Sequence, residues 1–488
     1  MAQDTIPFVP NQSSGIDVLV GGSPAAMNVI VDAGGAVQRR PGFTTYARGG
    51  GQVSAKPIIA LRQTAGQGLY AVAGDVPGAY EVYELVDGGA LRLSDEGHAF
   101  SGTFRPVIAE TEAMIVIASG VEVRKVEFAG LVDTVELLGG SPPRGTHIIS
   151  QNSRLLINDT PIGDKTKINY SAPSQGTATV GHEQWGDQLT AIGRSGFFTA
   201  EGRIDPVVAI AESSNEVFAF GSSSLEMFIT DSNLIYTPVS LIEYGCATPY
   251  GIIKSESSFS WMDEKRRIVT SDGRTAQVIS EQIQQSLQDL VRVDDCFGYR
   301  VTLGPVDALV WSFPTDGRTF AYQLGGGWST WMGYSDVLNN WIPLTISSHT
   351  FVGGVNENVV GTAGGVVGQL RMDAETDLGE RIVAHIDTGF LNRGTDNRKL
   401  CRSVKLGLRR GSSSAATNAP NATLQYRDDE GAWRHALEID LGRSGDRRIV
   451  VEARSLGVYR RRQWRFNFAG TTDLVLAQVT EEFDILKN

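Results

Sequence analysis

The 488 residues hold three cysteines, six histidines, little helical periodicity and no long apolar stretch. Each shortage excludes something. A typical apolar run, Ala113-Met114-Ile115-Val116-Ile117-Ala118, has the length of a buried strand, whereas a membrane-spanning helix needs roughly 18 apolar residues. Cys246, Cys296 and Cys401 lie far apart with no metal-ligand spacing, so neither a disulfide framework nor a zinc cluster is expected. All three read as buried thiols. The histidines, His98, His147, His182, His349, His385 and His435, make no His-x-x-x-His or His-Glu-x-x-His arrangement, and His182-Glu183 is expected in a solvated loop. A serine-hydrolase elbow, Gly-x-Ser-x-Gly, is missing. Gly163-Asp164-Lys165-Thr166 is no phosphate loop, because its aspartate would repel the phosphate. The start, Met1 to Pro10, carries Asp4 and no basic cluster leading into an apolar stretch. No signal peptide is therefore expected, folding is expected in a cytoplasm, and the sequons at Asn11, Asn158, Asn169 and Asn421 are expected to be chance matches. No cofactor or metal is expected.

Glycine is abundant instead. Fifty-six glycines with 18 prolines suit many short strands joined by tight turns. Runs of strand length recur at residues 69–73, 82–85, 115–118, 121–128, 155–158, 207–211 and 217–221, most of them β-branched or aromatic. Asp87-Gly88, Asp272-Gly273 and Asp316-Gly317 supply the positive φ that two-residue hairpins require. Asp272-Gly273-Arg274-Thr275 and Asp316-Gly317-Arg318-Thr319 stand 44 residues apart, close to the length of one four-stranded propeller blade. An irregular β-propeller is expected over residues 51–375. Gly66-Gln67-Gly68-Leu69-Tyr70-Ala71 matches a dinucleotide fingerprint in letters only, since a strand follows it where a helix is needed; a hairpin turn is expected. Trp328, Trp331, Tyr334 and Trp341 could stack sugars, but core and interface packing is the expected role.

Helix is expected at one place. Ser280 can cap residues 280–290, where Ile283, Leu287 and Leu290 share a face. Past residue 375 the character changes. Seven strand candidates, at 382–390, 403–408, 423–427, 437–441, 448–453, 463–468 and 474–480, fit a β-sandwich-like domain over 376–488, with the Gly/Ser/Ala/Asn stretch 411–421 as a surface loop. Arg460-Arg461-Arg462-Gln463-Trp464-Arg465-Phe466 alternates, so Trp464 and Phe466 are expected inside and the arginines on the solvent face. Residues 1–50 read as an N-terminal arm able to pack on that domain.

Charge divides the same way. From Arg381 onward there are 19 Lys/Arg against 13 Asp/Glu, and before it 24 against 42. Two segments of opposite sign suggest different partners. An acidic body will not bind nucleic acid over its general surface, because that affinity comes from neutralising phosphates. Arg460, Arg461, Arg462 and Arg465 are the candidate partner-docking residues, with a solvated sandwich face or an acidic protein partner preferred to nucleic acid.

Several stretches, in order, resemble the packaged-DNA stabilisation protein family (tail hub or nozzle, tail accessory factor) of short-tailed bacteriophages, the podoviruses. Asn28-Val29-Ile30 with Arg40-Pro41-Gly42-Phe43 resembles the family's opening, and residues 217–228 its most recognisable strand-turn-strand. Residues 245–279 with the helix after them, and 366–373, follow in the expected order, while 46–201 match poorly. The resemblance implies a structural virion protein and no enzyme. It implies a homo-oligomeric ring, expected to be a hexamer, below the portal and adaptor (head-to-tail connector), with a lumen that continues the DNA channel without sequence-specific binding. A tail needle, fibres or tailspikes are the further partners, and the virion tail, assembled in the bacterial host cytoplasm, is the implied location. The ring closes the tail and retains packaged DNA until ejection. The alternative is a carbohydrate-binding or glycoside-hydrolase β-propeller. Hydrolysis needs two carboxylates across the scissile bond, and no pair in the sequence must converge; the Pro314–Phe320 stretch resembles a sialidase blade turn, which is structural.

Overall fold

A computed structural model describes residues 2–6, 26–31, 36–66, 68–93, 100–128, 134–159, 163–174, 179–190, 193–230, 236–410, 421–429, 431–440, 448–469 and 474–486. His98, Gln67, Asn11 and nearly all of the expected 411–421 loop lie outside the described residues. The chain is all-β. It forms two compact units, one from residues 1–44, 300–344 and 370–488 and the other from 45–299 and 345–369. Residues 300–344, expected within a propeller at 51–375, group with the unit that holds the C-terminus.

In the second unit, five antiparallel meanders follow one another along the chain. Their first strands are Ile58–Gln63, Val107–Glu110, Ile148–Gln151, Val207–Ser213 and Ile253–Ser255. This is the blade arrangement of a β-propeller. Their second strands explain why the sequence reads as short continuous apolar runs. Leu69–Gly74, Met114–Ala118 and Arg154–Asn158 are buried at every position. Successive side chains of a strand point to opposite faces, so a sheet stacked between two others buries both sets. Leu69, Ala71 and Ala73 pack with Val352, Val359 and Val367, while Tyr70 and Val72 pack with Ile115 and Ile117 of the next blade. Met114 and Val116 then meet Leu155 and Ile157, and Leu156 meets Val217 and Ala219. Phe218 and Phe220 pass the stack on to Phe259 and Trp261.

Ile346–Val352 and Glu357–Thr362 return to this unit in a separate sheet that packs against its first blade. The hydroxyls of Ser347 and Ser348 both donate to the Ile58 carbonyl, at 2.8 and 2.6 Å. The Gln63 amide donates to Thr350 Oγ1. Chain ends of the unit are thereby tied sheet to sheet.

Of the Asp-Gly turns only Asp87-Gly88 is the expected two-residue loop; four residues separate Ser271 from Ala276 and Phe313 from Arg318. Asp272 Oδ1 accepts from the amides of Arg274 and Thr275, and Gly273 has φ +86°, where a side chain would be strained. The frames of the two longer turns do not match. Asp272-Gly273 joins the third and fourth strands of its blade, Ile268–Ser271 and Ala276–Val278, whereas Asp316-Gly317 follows Val306–Phe313, the second strand of its series. The 44-residue spacing therefore records reuse of one turn chemistry rather than an in-phase repeat.

The helix also differs in detail. Residues Glu281–Ile283 are 3₁₀ and Gln284–Gln288 are α, with Ile283, Leu287 and Leu290 buried as the periodicity demands. Ser280 holds the N-cap position but makes no side-chain capping bond. The hydroxyl accepts instead from the Ile268 amide at 2.8 Å, completing a strand end.

The first unit carries the sandwich-like fold. One sheet runs Val29–Val31, Val37–Arg39, Leu474–Ile485, Lys399–Arg410 and Arg448–Arg454, with Ala2–Thr5 added on Leu474–Ile485. The other includes Ala26–Met27, Val383–Asp387, Arg462–Ala469, Asn421–Asp428 and Arg434–Asp440. Val404, Leu406 and Leu476 from the first sheet and Ile386, Leu424, Trp464 and Phe466 from the second form one buried cluster. Strands from residues 2–39 thus complete the sheets of the C-terminal strands. At their centre Asn28, with φ +53°, is fully buried and uses both ends of its amide. It donates to the carbonyls of Met332 and Val383 and accepts from the Met332 amide and Arg40 Nε.

Candidate functional site

The four docking candidates split across the sheet. Arg462, Trp464 and Phe466 stand two apart in one strand, so they share the inward face, and all are fully buried. This corrects the expectation that the arginines cover the solvent side: Arg462 falls on the apolar parity. It is tolerated there because Asp428 takes Nε and Nη2 at 2.6 and 3.0 Å, and Leu456 O takes Nη2 as well. The rings of Tyr426 and Tyr459 lie 4.3 and 4.2 Å from its guanidinium carbon. A planar, weakly hydrated guanidinium suits such a box.

Arg461 and Arg465 take the opposite parity and reach the outer face. Arg465 is held by Asp387 at 2.7 Å on two nitrogens and lies over the Trp433 ring at 4.2 Å. Arg461 lies over Phe390, and Arg427 bridges the Phe390 and Trp433 rings at 5.1 and 4.9 Å. A strip of three arginines and two aromatic rings results. Arg460 stands apart, exposed, donating to the Asp396 carbonyl. Phe390, Trp433 and Arg427 were missed in the sequence because they join the strip from other strands and loops.

A second feature lies within the propeller unit, where the first strands of the blades converge on a cavity of about 380 Å³. Its walls are polar and apolar in equal measure, with Ile108, Ile149, Ile210 and Ile252 among the apolar residues. Arg62 and Lys254 also line it, 46% and 44% exposed, paired with Glu110 at 3.6 Å and Glu212 at 3.4 Å. Arg105 enters between them. The guanidinium lies over the Phe297 ring at 4.5 Å and donates to the Ser347 carbonyl. Burial lowers its pKa to about 10. Nothing in the sequence marked Arg105, a single arginine before a short apolar strand.

Of the described histidines, His147 and His349 both line this cavity. His147 stacks on Tyr250 at 4.8 Å, with ring nitrogens against Thr146 Oγ1 and the Pro249 carbonyl. His182 is not in a solvated loop: it is buried in the 3₁₀ turn Val180–Glu183, and Glu183 binds Lys125 at 2.7 Å. Burial holds both imidazoles neutral, at about 4. Among the described residues no group of three His, Cys, Asp or Glu could hold a metal ion. The cysteines are buried and unpaired. Trp328 and Trp331 are core residues, whereas Tyr334 and Trp341 face each other edge-on in the hairpin Gly333–Ser335 and Asn340–Ile342.

Comparison with known proteins places these features. No curated protein matches the chain. Among solved structures, the crystal structure of BamB from Moraxella catarrhalis is similar at 11% identity and a TM-score of 0.36, covering 76% of this chain and 98% of that one. Residues 169–373 match the model of a family described as "Phage_stabilise: Bacteriophage P22 Gp10, beta-propeller". That stretch contains the fourth and fifth blades and the 217–228 strand-turn-strand on which the resemblance was first drawn. Over these residues the chain is similar to that phage β-propeller family.

Proposed function

We propose that the chain is the tail-hub or nozzle protein of a short-tailed phage, a structural component that extends the DNA channel below the portal and adaptor and retains the packaged genome. The observation that carries this reading is the family match over residues 169–373 on a propeller body. Copies join head to tail in a hexameric ring, since a heterologous contact repeated by rotation closes on itself. The charge distribution supports a sliding role: residues 45–299 and 345–369 hold 19 Lys/Arg against 32 Asp/Glu. A lumen with that sign repels phosphates, so DNA passes without sticking. The role is mechanical rather than enzymatic.

The arginine strip is the proposed docking surface for the adaptor or for needle, fibre or tailspike proteins. Arg460 and Arg461 can meet an acidic partner, whereas Arg462 is committed to Asp428 and Arg465 to Asp387. Quantitative mass spectrometry of purified virions tests the main reading. A hexamer's complement of copies per portal ring is expected, and absence from virions would end it. For the surface, the double variant R460E/R461E should assemble poorly into tails while folding normally. Normal assembly of that variant would refute the docking role.

A further inference from the structure

The cavity within the propeller unit has an unbalanced charge. Arg62 and Lys254 are neutralised by Glu110 and Glu212, but among the described residues no carboxylate lies within ion-pair distance of Arg105. Its contacts are the face of Phe297 and the Ser347 carbonyl. A guanidinium has five N–H donors in a rigid fork, and one carbonyl leaves most of them unspent. Arg105 is only partly buried, so the N–H groups it does not spend on Ser347 stay accessible from the cavity. The electrostatic neighbours of Arg105 are Tyr250, Cys296 and Tyr80, all of which burial keeps neutral. Tyr80 already donates to the Phe104 carbonyl at 2.7 Å. The cavity therefore presents one cation without its own acid beside a patch of isoleucine, with a volume in the range of small-molecule sites.

We propose that this cavity binds a small organic carboxylate, Arg105 taking the carboxylate through its free N–H fork and the isoleucine patch taking the hydrocarbon body. Guanidinium and carboxylate match in plane and spacing, which gives two parallel charge-assisted hydrogen bonds. Phe297 packs against the guanidinium at 4.5 Å, which restricts it before a ligand arrives. Arg62 and Lys254 do not compete for the anion, because each has its own acid.

Full-length protein is titrated with benzoate, hexanoate, benzamide, hexanamide and inorganic phosphate, following calorimetric heat and melting temperature. Benzoate and hexanoate should bind saturably and raise the melting temperature, and the neutral amides should do neither. The R105Q variant should weaken benzoate by roughly tenfold or more, the loss expected when one charged hydrogen-bonding partner goes. Binding of benzoate and benzamide to the same degree, or of neither, would overturn the proposal. Phosphate binding as tightly as benzoate would overturn the hydrocarbon part of it. Should R105Q fail to fold, the carboxylate-against-amide comparison on the natural protein decides alone.

Discussion

Arg40 and Asp377, 337 residues apart in sequence, form a buried ion pair whose guanidinium sends Nη1 and Nη2 to the two carboxylate oxygens at 3.0 and 2.5 Å. Nε of the same arginine reaches Asn28 Oδ1 at 2.9 Å, so the pair is anchored to the amide that holds Met332 and Val383. Arg40 is 1% exposed. Two residues on, Gly42 runs so close to the carbonyls of Ala374 and Thr376 that a Cβ would sit 2.7 Å from each.

Breaking that pair from one side should be severe. D377A leaves a buried guanidinium without its acid, and a loss of about 3–5 kcal/mol in unfolding free energy is expected. Urea denaturation of D377A and of the double variant R40M/D377A checks it. The double variant should be the more stable of the two, because removing both charges leaves neither stranded.

Within the arginine run, neighbouring residues should behave in opposite ways. R462A empties an aromatic box and strands Asp428, so it should destabilise the protein by about 3 kcal/mol or more. R460A removes an exposed side chain and should stay within about 0.5 kcal/mol of the natural protein. Equal losses in denaturation would show that the alternation is misread.

Acid should weaken the fold through its buried imidazoles. His147 and His182 have folded pKa values near 4, pushed below the unfolded value by burial. The unfolded chain therefore binds more protons between pH 6.5 and 4, and stability falls as pH drops through that window. Each histidine contributes at most about 3 kcal/mol. Melting curves at stepped pH should show the fall, and H182Q should reduce its slope.

The three thiols should be silent in the folded protein. Cys246, Cys296 and Cys401 are buried, and burial raises their pKa values, so little thiolate forms near neutrality. A chromogenic disulfide reagent should titrate none of them in buffer and three in denaturant. Rapid reaction of one in buffer would show that its cover opens.

Much of the fold was legible locally. Residues 113–118 announced a strand buried on both faces, and every C-terminal strand candidate has its counterpart among the observed strands. The helical face of Ile283, Leu287 and Leu290 was equally plain. Sites were harder. Alternation in 460–466 was read correctly as alternation, but the parity of Arg462 was assigned by residue type, and type misleads when an acid waits on another strand. Ser280 looked like a cap, and its hydroxyl was claimed by an amide twelve residues earlier.

Sequence alone determined the strands, their turns and which residues are apolar, because these follow from periodicity and backbone preference within a few neighbours. Tertiary structure decided which charges would be buried and by what they would be met. Asp377 answers Arg40 and Asp428 answers Arg462 across long stretches of chain, while Arg105 goes unanswered in a cavity drawn from several blades. A side chain's electrostatic fate depends on everything within a few ångströms, and no local pattern along the chain carries that information.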